Sequence, residues 1–446
     1  MDYQLLLSLA GGIFILLFLI LKWKTNAFIA LLVASIAIGI FAGMPPESII
    51  ENITKGMGST LGFVATVVGL GAIFGAILEH SGATAILSEY LLKKFSIKNS
   101  GIALSMAGFL IAIPVFFDVA FIILVPVLYG LQAKTGKSLL YFALPLLSSL
   151  AIGHAFIPPT PGPIAVAEII NADLGWVILL GILVGLPTTI ISGIMFGKFL
   201  SDKIFVASPK LPEIPEISNE KTKPSVFAII ALIILPLILI VLNTVTDSIY
   251  NSNIPLWVKI IGFIGHPYTA LLMTTFLSVY FLGTRYGMTK IQLQEISLRA
   301  LGPAGIIILI TGAGGVFKQM LVETGAGVML AKSMAGFNLS PLLLSFILAL
   351  IIRLLQGSAT VAMITSAGMM APIIAQMSVS PPHLALMVLS IAAGATGFSH
   401  VNDSGFWLVN RYLGMTESQT LKTWTVMTGV ISIVSMIFIS LISLIW

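Results

Sequence analysis

Cysteine is absent from all 446 residues, and with it any disulfide or thiolate metal site. Charge is nearly as scarce. Asp, Glu, Lys and Arg make up 9% of the chain against 58% hydrophobic residues, too few to clothe a water-soluble domain. No His-Glu-x-x-His zinc motif and no Gly-x-Ser-x-Gly nucleophile elbow occurs, which argues against an intramembrane hydrolase using His154 or His400 with Asp403. Nor do the apolar runs alternate in polarity as β-barrel strands would. The net charge of +5 requires no nucleic acid partner, because it follows from where the lysines sit.

What is present is a series of continuous apolar runs of roughly 20 residues, the length that carries a helix across about 30 Å of hydrocarbon. The lipid bilayer is therefore this chain's principal partner. Spans are expected at about 4–22, 27–43, 59–79, 138–157, 176–198, 225–246, 262–283, 300–322, 383–399 and 424–446. The first reads as a spanning helix and not as a signal peptide, since no positive charge precedes Leu5, and Lys22 and Lys24 follow the run instead. Two further apolar segments, 101–133 and 339–377, are broken midway by Pro114-Val-Phe-Phe-Asp118 and Gln356-Gly-Ser-Ala-Thr360. They read as re-entrant hairpins, since irregular backbone is tolerated at membrane depth only inside protein or beside a cavity.

This arrangement puts 17 of the 22 Lys and Arg on one side, three (Lys55, Lys259, Lys332) on the other, and Lys318 and Arg353 within the membrane. By the positive-inside rule the 17-residue side is cytoplasmic, which leaves both termini outside. The halves repeat at an offset of about 240 residues. Gly69-Leu-Gly-Ala-Ile-Phe-Gly75 resembles Gly312-Ala-Gly-Gly-Val-Phe-Lys318, Asp118-Val-Ala matches Thr360-Val-Ala, and Pro158-Pro-Thr-Pro-Gly162 lies opposite Val401-Asn-Asp-Ser-Gly405. Five crossings per half is an odd number, so the copies must be inverted. The expected fold is an all-α polytopic membrane protein of two inverted repeats, 1–200 and 225–446. Each has about five transmembrane helices plus one hairpin, with broken helices at a central site. Residues 201–224, rich in proline and charge, read as a cytoplasmic linker. Inverted repeats with interrupted helices point to a secondary transporter.

Ionisable groups within a membrane are costly unless paired or hydrated, so the few here are candidates. Arg353 offers a planar bidentate donor set for a substrate carboxylate, or else an internal ion pair, with Asp118 an available partner. Lys318 is either a second cation for the substrate or a side chain snorkelling to the interface. Asp118, among Phe116, Phe117 and Phe121, suits a carboxyl that takes up and releases a proton; as a helix N-cap it would be structural. His154 and His400 are candidate proton shuttles, or histidines that hydrogen-bond a broken helix. At the breaks, Thr160, Gly162, Gly357, Ser358, Thr360, Asn402, Asp403 and Ser404 supply hydroxyls, amides and new helix N-termini, a cradle for a small organic anion and its polyol oxygens. Unwound backbone can also hold sodium, which stays open as the coupling ion beside the proton.

Taken together, Gly153-His-Ala-Phe-Ile-Pro-Pro-Thr-Pro-Gly-Pro163, Asn171-Ala-Asp173, Gly314-Gly-Val-Phe-Lys318, Gly357-Ser-Ala-Thr-Val-Ala362 and Ser399-His-Val-Asn-Asp-Ser-Gly-Phe-Trp407 resemble the gluconate permease family of proton symporters over essentially the whole chain. The resemblance implies uptake of gluconate or a related sugar acid across the bacterial inner membrane, with D-serine and short hydroxy acids as cargo of similar members. It also implies a homodimer, an elevator-like motion and no cofactor. Asp118 stands where that family commonly has Glu, and Ser404 where it commonly has Pro.

Overall fold

The computed structural model describes residues 3–95, 99–209, 224–250, 255–325 and 340–445. Residues 210–223, most of the expected linker, lie outside the described residues, as does 339, where the second hairpin was expected to begin. Every regular element among the described residues is helical. Seven helices are long and apolar enough to cross a membrane, or eight if one bent pair is counted as a span. The outer surface is correspondingly apolar, with Phe14, Phe227, Phe263 and Phe276 exposed where lipid replaces water as the solvent.

The first half runs through α1 (Tyr3–Leu21), α2 (Ala27–Phe41), α3 (Pro46–His80), α4 (Ala83–Lys94), α5 (Ser100–Ala112), α6 (Phe117–Thr135), α7 (Leu140–Phe156), α8 (Pro161–Ile170), α9 (Leu174–Thr189) and α10 (Phe196–Lys203). The second runs through α11 (Val226–Ile249), α12 (Leu256–Gly265), α13 (Pro267–Ser278), α14 (Lys290–Glu323), α15 (Pro341–Gln356), α16 (Ala359–Ile374), α17 (Pro381–Thr396), α18 (Ser404–Tyr412), α19 (Glu417–Thr420) and α20 (Val426–Ile442). A long helix, a pair of helices broken at its tip, and a buried helix ending in a second break thus occur in the same order in each half. Turns of π-helix interrupt the outer helices at Ile190–Met195, Val279–Gly283 and Leu421–Thr425.

Two departures from the expected spans have local causes. The span placed at 59–79 sits inside a 35-residue helix, because Pro46 takes the first helical turn, where its missing amide costs nothing, and starts the helix in polar sequence. The span placed at 262–283 is bent by 65° between α12 and α13, where Pro267 cannot continue the preceding helix and His266 caps the new one.

Lipid tails give helices no hydrophobic reason to associate, so close packing must hold them. Helices α3 and α14 show how. They run antiparallel, with Lys55 on Glu323 at 3.1 Å and Gln319 on Asn52 at 3.4 Å at one end, and Gly69 beside Leu301 at the other. Between these ends Gly56, Gly312 and Gly315 let the backbones approach until a Cβ on any of them would overlap the partner helix. A second close approach sets the tip between α5 and α6: Gly75 of α3 lies so near the Pro114 carbonyl that no side chain fits between them. Helix α7, in contact with α5, α6, α9 and α17, is the most buried span. It ends at Phe156 because Ile157 turns to extended backbone and Pro158–Pro159, a cis peptide, offers no amide to continue the ladder.

Candidate functional site

A cavity of about 440 Å³ lies where the breaks meet. Three helix N-termini face it: Phe116 to Asp118 at the start of α6, Gly357 to Thr360 at the start of α16, and Asn402 to Gly405 at the start of α18. The last turn of α15 contributes Arg353 and Gln356, α7 contributes His154, and Thr396, Trp424 and Thr428 close the rear wall. Unpaired amides and the positive ends of three helix dipoles therefore converge on one space.

Local sequence explains each break. Gly357 ends α15 in the left-handed region (φ 89°) and donates its amide to Arg353 O at 2.9 Å. The free carbonyl of Leu354 accepts from Asn402 Nδ2 at 3.0 Å and lies 2.9 Å from His400 Nε2. Ser358 caps α16 by accepting from the Val361 amide, and Asp403 caps α18 by accepting from the Gly405 amide at 3.1 Å.

Arg353 is buried, and its guanidinium is largely committed. One terminal nitrogen donates to the Gly357 carbonyl, the other to Asp403, while Nε is buried with no partner. Asp403 accepts in turn from the Ser399 hydroxyl, which takes the Trp424 indole N–H at 2.7 Å. The internal ion pair of Arg353 is thus with Asp403, one break away, and not with Asp118 as the sequence suggested. Nor is Asp118 a cap. Phe116 occupies the N-cap position of α6, and the Asp118 carboxylate has neither hydrogen bond nor ion pair to any described residue. It lines the same cavity as Asp403. His154 is buried with Nδ1 unpartnered and its ring 6.0 Å from that of Phe116.

The remaining candidates lie elsewhere. Thr160 donates to Ile157 O at 2.6 Å and, with His154 and Phe116, borders a much smaller void beside the main cavity. Gly162 packs on Met363. His400 is turned onto Leu354, and Lys318 projects from α14 towards Glu168 of α8, attracted to it without direct contact. Sequence reasoning passed over Gln356, Trp424 and Glu168. A glutamate in a ten-residue apolar helix was the signal available for the last; the first two needed knowledge of which helices meet. Among the described residues no cluster of three His, Asp or Glu is close enough to hold a metal ion.

Comparison with known proteins covers the whole chain. The model of the family described as GntP family permease matches residues 3–445. The low-affinity gluconate transporter of Escherichia coli (strain K12) is 41% identical over 98% of this chain and 99% of its own. A gluconate permease of Pseudomonas aeruginosa is 36% identical over 100% and 98%. Among solved structures, the Alcanivorax borkumensis YdaH transporter, described as having an unusual topology, superposes with a TM-score of 0.62 over 90% of this chain and 88% of its own, at 16% identity, a likeness of fold alone.

Proposed function

Because the chain belongs to the GntP permease family, and so is a membrane transporter and not an enzyme, we propose that it takes up gluconate or a related sugar acid by proton symport. The observation that carries this reading is the 440 Å³ cavity, within the range of about 300–1,000 Å³ usual for small-molecule sites, where three helix N-termini surround Arg353 and an unpaired Asp118. The fixed charges there are Arg353 positive and Asp403 and Asp118 negative, a net of one negative facing N-termini worth roughly half a positive charge each. A monoanionic sugar acid arriving with one proton leaves that balance unchanged. Asp118, which has no internal partner to lose, is the group best placed to take the proton. The coupled load carries no net charge, so the membrane potential does not oppose it, and the pH gradient drives accumulation at about 1.4 kcal/mol per pH unit.

Uptake of labelled gluconate into proteoliposomes under an inward proton gradient tests this directly. We expect accumulation that a protonophore abolishes and that survives replacement of sodium by choline. In Asp118→Asn accumulation falls to the equilibrium level, while counterflow exchange is impaired far less. Uptake that follows sodium instead, or no uptake of any sugar acid or short hydroxy acid, overturns the reading.

The same reading places the chain in the bacterial inner membrane as a homodimer of two inverted repeats, with the linker in the cytoplasm and both termini outside. The natural chain has no cysteine, so single-cysteine variants report orientation cleanly. Thr135→Cys is expected to resist an impermeant maleimide added to whole cells and Ser378→Cys to react. The reverse pattern inverts the topology.

A further inference from the structure

We propose that Gln356 reads the hydroxyl on the carbon next to the substrate's carboxylate, so that this cavity selects 2-hydroxy monocarboxylic acids. The proposal rests on the transport reading above and adds the part of the cargo that is recognised. Two buried polar atoms on residues that line the cavity have no partner among the described residues: Arg353 Nε, a donor, and Gln356 Oε1, an acceptor. They belong to side chains three residues apart in the last turn of α15, a spacing that places them side by side on one helix face. Buried polar groups in native proteins are almost always satisfied, so two orphans on one cavity wall mark where a ligand's polar atoms go.

The chemistry of the pair is specific. With Gly357 and Asp403 each taking one N–H from the terminal nitrogens, Nε is the guanidinium nitrogen left without a partner, and its N–H suits a carboxylate oxygen. An acceptor beside it calls for a hydroxyl adjacent to that carboxylate. A hydroxyl both donates and accepts, so it satisfies the Gln356 amide whichever end of the amide faces it. Asp403 is then a positioning residue that fixes the guanidinium and turns Nε towards the cavity. His154, which also lines the cavity, carries a third buried orphan, Nδ1. A second carboxylate would instead face Asp118 and Asp403, which excludes dicarboxylates. Gln356 has no structural duty that would account for it otherwise, because Gly357, Asn402 and His400 already satisfy the end of α15.

The test is competition against labelled gluconate uptake in proteoliposomes by 2-deoxygluconate, 3-deoxygluconate, glycerate and 3-hydroxypropionate. In the wild type, 2-deoxygluconate should compete about 10- to 100-fold more weakly than gluconate, the size expected when buried groups are left unpaired, and 3-deoxygluconate within a few-fold of it. Glycerate should exceed 3-hydroxypropionate by a similar ratio. In Gln356→Leu, which replaces an orphaned amide by an apolar group of similar size, the KM for gluconate should rise until the gap to the 2-deoxy acid closes, with kcat changed much less. Equal competition by gluconate and its 2-deoxy analogue, or a gap that persists in Gln356→Leu, overturns the proposal and leaves the transport reading standing. Failure of every acid to compete or be carried removes both. If Gln356→Leu does not assemble, Gln356→Met takes its place with the same expected closing of the gap.

Discussion

Replacing Arg353 by methionine is expected to abolish uptake and, separately, to lower stability by about 3–5 kcal/mol, the usual cost of leaving a buried charge without its partner. Arg353 is 4% exposed, and its side chain ties three pieces of chain together: its own helix, the Gly357 break that follows it, and the Asp403 break fifty residues on. Removing the guanidinium strands the Asp403 carboxylate beside Asp118, two like charges sharing one cavity. The double variant Arg353→Met with Asp403→Asn should recover most of the lost stability, because no uncompensated charge remains, and yet stay inactive. Thermal unfolding of the purified protein measured alongside proteoliposome uptake separates the two effects. Recovery of uptake in the double variant would mean that Arg353 serves only to neutralise Asp403. Arg353→Lys keeps the charge but cannot reach the Gly357 carbonyl, Asp403 and a substrate together, so it should stay severely impaired.

Gly357→Ala should be nearly as damaging, for a backbone reason. At φ 89° and ψ −21° any L side chain is strained, at roughly 1–2 kcal/mol. Here a Cβ would also overlap the Asn402 carbonyl, with its carbon only 2.6 Å away. Both obstacles are backbone, so neither can swing aside. Gly287 provides the control: its φ is 84°, but nothing lies within 4 Å of where a Cβ would stand. Gly287→Ala should therefore cost only the conformational term, while Gly357→Ala should sharply reduce the yield of monodisperse protein on size exclusion and leave no measurable uptake. Similar behaviour of the two variants would show that the close contact between the two breaks is dispensable.

The sequence made some of this visible and hid the rest for identifiable reasons. Continuous apolar runs marked most helices because hydrocarbon thickness imposes a length on them. Proline and glycine marked the breaks at 114, 158 and 357 because those residues change what the backbone can do. The first turns of α3 escaped notice because Pro46 to Met57 is polar, and polar sequence at a membrane surface is as compatible with a loop as with a projecting helix. Which ionisable groups meet was less legible. Asp118 and Arg353 both stood out as membrane charges, but the choice of Asp403 as ion-pair partner depends on how α15 packs beside the 400–403 turn, and no local pattern encodes that. Trp424 and Thr428 stand at the start of the last apolar run, where a tryptophan or threonine carries no sign that it faces a cavity.

The π-helical turn at Leu421–Thr425 has a consequence for what changes of chain length this protein tolerates. A π-turn holds one residue more than the α-turn it replaces, so it is the structural mark of a single-residue insertion. Trp424 lies within this turn, and its indole reaches Ser399, which in turn holds Asp403. Deleting one residue between 421 and 425 would close the wide turn into regular α-helix, with α19 and α20 keeping nearly their relative rotation, so that the change falls on the side chains of the turn itself. The indole would leave Ser399, and the chain of bonds that orients Arg353 would lose its outer link. Length at this one place, in the second turn of the helix that begins at Glu417, is thus as consequential for the site as the identity of any residue that lines it.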